Sequence, residues 1–338
     1  MITLTRRRLG ALAAAGMLAT ETAQAQEAAT DALIKAARAE GELLFYGAPV
    51  EAVVKRSAEA FAARFGIKTS FLRLSGGALR TRYAGEAESG AIPADFMISS
   101  SAFSTRFAAD CVKRGWAQPV REAKLPILES GGFPQRFLTE HTAILQTVPW
   151  WMIINTERTR AEETPRDWKD LAQPHWRGRI VIPNPLNSET HMEFWKVLMD
   201  RYGADYIAAI GALAPRKVEG GVASIQALAA GEAAVTLPNL IPVMLPLVQK
   251  GAPLKALPVD YTTSSDQHLI LTAPNRARHP NAARLFANWI MSPEGNKVFN
   301  DDPEGFTVHE TGRLPRDYVS PTADAVDARE RIGKMLGF

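Results

Sequence analysis

Between residues 41 and 114 the chain alternates short apolar runs with amphipathic helical stretches, and few architectures accept that pattern. Leu43-Leu44-Phe45-Tyr46 has strand length, and residues 50–65 put Val53, Val54, Ser57 and Phe61 at helical spacing before Gly66 stops the turn. Residues 67–74 alternate as a strand does. Ser75-Gly76-Gly77 follows, then a helix over 78–89, a strand over 94–99 and a helix over 101–114. Strand, helix, strand in units this short describe parallel βαβ connections, hence an α/β fold whose sheet is covered on both faces.

A second series starts with a long extended stretch over 142–155. It continues with a short helix near Trp168, a strand over 179–182, a helix over 188–202 and a strand beginning at Val218. A helix over 224–230, a strand over 233–237 and a helical run over 239–250, bent by Pro242 and Pro246, complete it. Residues 267–272 form a second extended crossing, and the helix after Pro280 carries Leu285, Phe286, Trp289 and Ile290 on one side. The expectation is two α/β lobes joined by two hinge-crossing strands. Lobe one takes residues 26–148 with 268–338, and lobe two takes 149–267. Ligands in such folds bind outside the carboxyl ends of strands, here in the cleft between lobes.

Residues 1–25 have a different grammar: Arg6-Arg7-Arg8, an apolar run over 9–19, then Ala23-Gln24-Ala25. This is the layout of a cleaved export signal, with cleavage near Ala25. The arginines after Thr5 fit a twin-arginine signal, and the general secretion route fits as well. The segment contains Arg6, Arg7 and Arg8 against Glu21, two of the chain's three net positive charges. The exported part is therefore almost neutral, without a basic block for nucleic acid or membrane. A hydrophobic fraction of 46% supports a real core and argues against disorder. Cys111, the sole cysteine, has no partner for a disulfide and is expected to be a small buried side chain.

Several phrases carry a family resemblance. Residues 281–295, Asn-Ala-Ala-Arg-Leu-Phe-Ala-Asn-Trp-Ile-Met-Ser-Pro-Glu-Gly, are very similar to the late helix pair of extracellular solute-binding proteins of ABC importers. Ser75-Gly76-Gly77, Pro93-Ala94-Asp95-Phe96, Pro149-Trp150 leading to Asn155-Thr156, Trp168-Lys169-Asp170-Leu171 and Trp176-Arg177-Gly178-Arg179-Ile180 look like the same family. The similarity runs from about residue 41 to residue 300 and is nearest the branch that binds ferric iron, phosphonates and sugar phosphates. It implies a two-lobe type II periplasmic-binding-protein fold, located in the periplasm, that closes on a small-molecule ligand by a hinge motion. It further implies delivery to an inner-membrane ABC permease, a monomer, no cofactor and no catalysis.

Ferric-iron binders of that branch use adjacent tyrosines, and this chain has no Tyr-Tyr pair; the corresponding stretch reads Leu237-Pro238-Asn239-Leu240. No metal is therefore expected, and an anion or anion-bearing molecule is. Ser75, Gly76 and Gly77, then Ser100 and Ser101, then Asn187 and Ser188 sit at helix starts, where unpaired N–H groups attract negative charge. Arg80 is a candidate bidentate partner, Trp150 a candidate cleft wall, and Asn239 a candidate contact at the helix start that carries tyrosine in iron binders. Plain N-caps and turns account for the same Ser and Asn residues, and a solvent-facing arginine for Arg80. His191 with Glu189 and Glu193 is the nearest approach to a metal cluster, and a solvated helix face explains it as well. Iron or iron-complex binding and polyamine binding remain alternatives. No nucleophile elbow, zinc-protease motif or phosphate loop suggests an enzyme.

Overall fold

The computed structural model describes residues 27–214, 216–301, 307–310, 312 and 314–338; the expected export signal lies outside them. A helix over 27–40, α1, leads into β1 (Glu42–Gly47), α2 (Glu51–Phe65), β2 (Lys68–Arg73), α3 (Gly76–Glu88), β3 (Phe96–Ser100) and α4 (Phe103–Lys113). β1 pairs in parallel with both β2 and β3, as short strand–helix–strand units require. Helix α2 buries Val53, Val54, Ser57 and Phe61, and Gly66 ends it at φ 71°, its N–H donating to the Ala62 carbonyl. After β4 (Ala117–Gln118) and α5 (Pro126–Glu129), β5 (Ala143–Pro149) leaves the first sheet.

The second lobe follows: β6 (Trp151–Asn155), β7 (Ile180–Pro183), α6 (Glu189–Tyr202), α7 (Ala204–Leu213), β8 (Arg216–Val218), α8 (Gly221–Ala229), β9 (Val235–Asn239), α9 (Ile241–Val248) and β10 (Leu254–Leu257). Its sheet order is β10-β6-β9-β7-β8. The chain then returns through β11 (Tyr261–Thr262) and β12 (Ser264–Thr272), which runs antiparallel to β3, β4 and β5. The first sheet thus reads β2-β1-β3-β12-β4, with β5 also on β12. Helices α10 (Pro280–Met291) and α11 (Pro293–Phe299) pack on it.

Each sheet has its own core. In the first, Phe45, Phe96 and Phe286 stack with ring centroids 4.6–5.3 Å apart. Rings buried this fully contribute roughly 2–3 kcal/mol each. Cys111 lies in this lobe, fully buried, and burial pushes its thiol up to about 12, so it is inert as a nucleophile. The second core holds Trp168, Trp176, Phe194 and Trp195. At the hinge, Trp150 N–H donates to the Thr263 carbonyl at 2.9 Å and the Thr262 hydroxyl to the Trp150 carbonyl at 2.9 Å, so the two crossings run side by side.

The C-terminal stretch departs from the expected boundary, which placed all of 268–338 in lobe one. Thr307 still pairs with Gln146 of the first sheet. The chain then passes back along the hinge as β13 (Asp317–Tyr318), beside β11, and reaches the second lobe. There a 3-10 turn over Ala323–Ala328 and helix α12 (Arg329–Leu336) bury Ala325, Ile332 and Leu336 in the second core. A Cβ at Gly211 of α7 would lie 2.3 Å from the Met335 carbonyl oxygen, so the glycine is what lets α12 come this close.

Candidate functional site

A cavity of about 250 Å³ opens between the two sheets. Lobe one contributes Ser75, Gly76, Gly77, Ser100 and Phe103; lobe two contributes Asn187, Ser188, Glu189, Thr190 and Glu193; and the C-terminal stretch adds Ala323, Val326 and Arg329. Six of the ten candidate residues named from sequence (Ser75, Gly76, Gly77, Ser100, Asn187 and Ser188) lie on its wall. The reason is topological: β3 and the loops opening α3 and α6 all end on the same side, facing the gap.

Ser75 occupies the N-cap of α3 without a side-chain cap bond. Gly76 is pressed against the opposite loop: a Cβ there would lie 2.3 Å from Ser100 Oγ and 3.2 Å from its backbone N and O. Only glycine lets the start of α3 approach β3 so closely. On the other wall Ser188 caps α6, its Oγ accepting from His191 N–H at 3.4 Å and lying 3.1 Å from Thr190 Oγ1. The Asn187 amide donates to the Glu219 carboxylate at 2.8 Å. Two helix N-termini thus face one space from opposite lobes, and each places partial positive charge there.

Arg80 is not solvent-facing. It is 4% exposed and lies behind the Ser100 loop instead of on the cavity wall. One guanidinium nitrogen donates to Ser99 Oγ at 2.8 Å, the Ser100 carbonyl at 2.9 Å and Ser104 Oγ at 3.3 Å. The other pairs with the Glu189 carboxylate of the opposite lobe. The arginine expected to face a ligand instead braces the loop and neutralises an acid across the cleft.

Ser101 is also fully buried, with backbone φ 83°, a region that non-glycine residues seldom enter. In that conformation its hydroxyl donates to Glu193 Oε1 at 2.6 Å, and the following Ala102 N–H reaches the same oxygen at 2.8 Å. The helix start expected to be open to ligand is thus already engaged by a carboxyl from lobe two. Burial first, then the negative Asp266 and Glu189, push the Glu193 carboxyl up to about 8 against these two hydrogen bonds. His191, buried beside it on α6, is lowered to about 4 by desolvation. The face expected to be solvated is therefore divided: Glu189 and Glu193 contact the opposite lobe, and His191 is buried against Trp150 within lobe two.

Trp150 and Asn239 do not reach the cavity wall. Trp150 packs edge-on against His191 and Phe194 in the second core. The Asn239 amide donates to the Gly221 carbonyl and to Ser224 Oγ, both at 2.9 Å, tying β9 to α8. Burial of both residues within lobe two overrides the position each holds along the chain. Sequence reasoning weighed Glu193 only as part of a metal cluster or a solvated face, not as a cavity-wall residue, and missed the 323–329 stretch. The signal for the first was present, since Glu189 and Glu193 stand one helical turn apart on one face of α6. Among the described residues no group of three His, Cys, Asp or Glu is placed to hold a metal ion, and no helix is long and apolar enough to cross a membrane.

Residues 43–306 match the family model for bacterial extracellular solute-binding protein. The chain belongs to this family. A protein of Haemophilus influenzae described as uncharacterized is 24% identical over 78% of this chain and 76% of its own length. Among solved structures, the periplasmic binding protein AfuA of Actinobacillus pleuropneumoniae, with fructose-6-phosphate bound, aligns with a TM-score of 0.66 at 18% identity, covering 87% of this chain and 97% of that one. Iron-bound HitA of Pseudomonas aeruginosa aligns with a TM-score of 0.71 at 16% identity, covering 88% and 99%. At these identities the likeness carries the fold: a two-lobe, type II periplasmic-binding-protein arrangement. Family and fold together make the chain a solute-binding protein of the ABC-importer type and not an enzyme.

Proposed function

We propose that this protein captures an anion, or an organic molecule bearing an anionic group, in the interlobe cavity and delivers it to an inner-membrane ABC permease. It works in the periplasm as a monomer, after loss of a signal ending near Ala25. The observation that carries the reading is the pair of helix starts, α3 and α6, that face the same space from different lobes. Backbone N–H groups at both ends, with the hydroxyls of Ser75, Ser100, Ser188 and Thr190, suit phosphate, phosphonate or carboxylate oxygens. A ligand touching both walls favours the closed arrangement, and this differential contact drives hinge closure. Glu189 does not contradict the assignment, because Arg80 balances its charge.

A thermal-shift panel of phosphonates, sugar phosphates, dicarboxylates, polyamines and ferric complexes tests it. At 100 times its dissociation constant a bound anion adds about 2.7 kcal/mol to stability. A shift with polyamines and none with anions overturns the charge assignment. A coloured complex with ferric salts alone returns the protein to the iron binders.

A further inference from the structure

The stretch that returns to the second lobe turns one line of side chains to the cavity. Over Ala323–Ala328 it is a 3-10 helix, in which every third residue lies in line. Ala323, Val326 and Arg329 share that line, and they are the residues this stretch places on the cavity wall. The neighbouring line, Asp324 and Asp327, clamps the turn. Asp324 pairs with Lys196 of α6 at 3.5 Å, and Asp327 accepts two hydrogen bonds from Arg106 of α4, at 3.0 and 2.8 Å. Ala325 is buried in the second core. The turn is thus held from both lobes, and its cavity face consists of two small apolar side chains and one arginine.

Among the described residues Arg329 is the one cationic side chain on the wall. It is exposed and pairs with no described carboxylate. Its guanidinium donates to the carbonyl of Leu186, the residue before Asn187, and so stands beside the start of α6. This contact engages one arm of a planar fork of donors, and among the described residues the other arm has no partner. The first N–H groups of α6 likewise have no partner inside the helix. A full positive charge and the partial charge of a helix end therefore fall at one corner of the cavity.

We propose that Arg329 is the charge partner of the ligand: the open arm of its guanidinium binds the anionic group received at the start of α6. The proposal rests on the anion reading above and deepens it by naming the residue that sets the charge preference. Arg80 does not take this role, being buried behind the Ser100 loop and paired with Glu189. The acids of the wall leave Arg329 to the ligand, since Arg80 holds Glu189, and Ser101 and Ala102 hold Glu193. An anion at this corner gains charge-assisted hydrogen bonds from the guanidinium and the helix end together. An ammonium group would meet a like charge there, so the same arginine attracts one class of ligand and rejects the other.

The test is calorimetric titration of the full exported chain with glycerol phosphate, a hexose phosphate and succinate, at low and at high salt. Arg329→Gln removes the charge while keeping a donor for the Leu186 carbonyl. It should weaken the best-bound probe by about tenfold to a hundredfold at low salt, with a shallower salt dependence than wild type. Arg331→Gln removes an equal charge from an exposed position of the same helix that is off the cavity wall, and should leave affinity within about twofold. Arg329→Lys, which keeps the charge, should bind more tightly than Arg329→Gln. Thermal midpoints report whether each variant folds. Arg329→Gln binding as tightly as wild type or as Arg331→Gln, or Arg329→Lys binding no better than Arg329→Gln, overturns the Arg329 assignment alone. Failure of every anion to bind the wild-type chain overturns the anion reading and this proposal together.

Discussion

His191 and His268 show what burial does to a single side chain here. His268 Nδ1 lies 3.0 Å from Thr142 Oγ1 in the first sheet, and burial, with the Arg80 charge second, lowers the ring to about 3. His191 is lowered to about 4 by burial. A folded-state value below the ordinary 6.5 means that the unfolded chain binds the extra proton first. The stability each neutral ring contributes is fully present above pH 6.5 and is lost as pH falls toward 4 and 3. Glu193 and Asp266 have the opposite sign, being raised to about 8 and about 6, so their contributions are full below the ordinary carboxyl range and fade as pH rises. Bulk stability mixes the two, and a difference between variants separates them. We predict that the gap in unfolding free energy between wild type and His268→Gln narrows by about 2 kcal/mol from pH 7 to pH 5. A gap that stays constant in urea titrations would show that the ring is not held neutral.

Among the elements, α6 and α12 do what their positions in the chain do not announce. The hydrophobic spacing of α6 marks it as a core helix, and Phe194, Trp195 and Leu198 are indeed buried. Its first two turns also carry Glu189 and Glu193 across to the other lobe. Helix α12 follows the late helix pair of lobe one in sequence but docks on α7 of lobe two through Ile332 and Leu336. We predict that Ile332→Ala lowers stability by about 2–5 kcal/mol, the usual cost of a core truncation at a fully buried site. Amide exchange should rise in α7 and α12 before it rises in α10. Equal loosening of the first sheet would mean that the C-terminal helix supports lobe one after all.

At the scale of the whole molecule, the polar contacts that join the lobes beside the cavity include Arg80 with Glu189, the Ser101–Ala102 turn with Glu193, and Arg106 of α4 with Asp327 of the C-terminal stretch. Glu189 keeps 30% of its side chain exposed, so its pairing is worth less than that of a sealed ion pair, on the order of 1–2 kcal/mol. We predict that Glu189→Gln shifts the ligand-free protein toward the open arrangement by about tenfold, seen as a larger radius of gyration in solution scattering and reversed by saturating ligand. An unchanged radius would remove this pair from the closure equilibrium. Most of the architecture was legible beforehand, because hydrophobic period and glycine stops report directly on local backbone. The loops at Ser75–Gly77, Ser100 and Asn187–Ser188 were legible too, since strand-to-helix turns in parallel units fall on one side of a sheet. Residue order along the chain therefore determined two α/β units, their crossings and the cleft-facing turns. Which polar groups in those turns stay open, which are spent on the opposite lobe, and where the final helix docks were decided only by the folded molecule. Those outcomes depend on burial and on partners far apart in sequence, 109 residues for Arg80 with Glu189 and 143 for Arg329 with Leu186, and no local pattern encodes them.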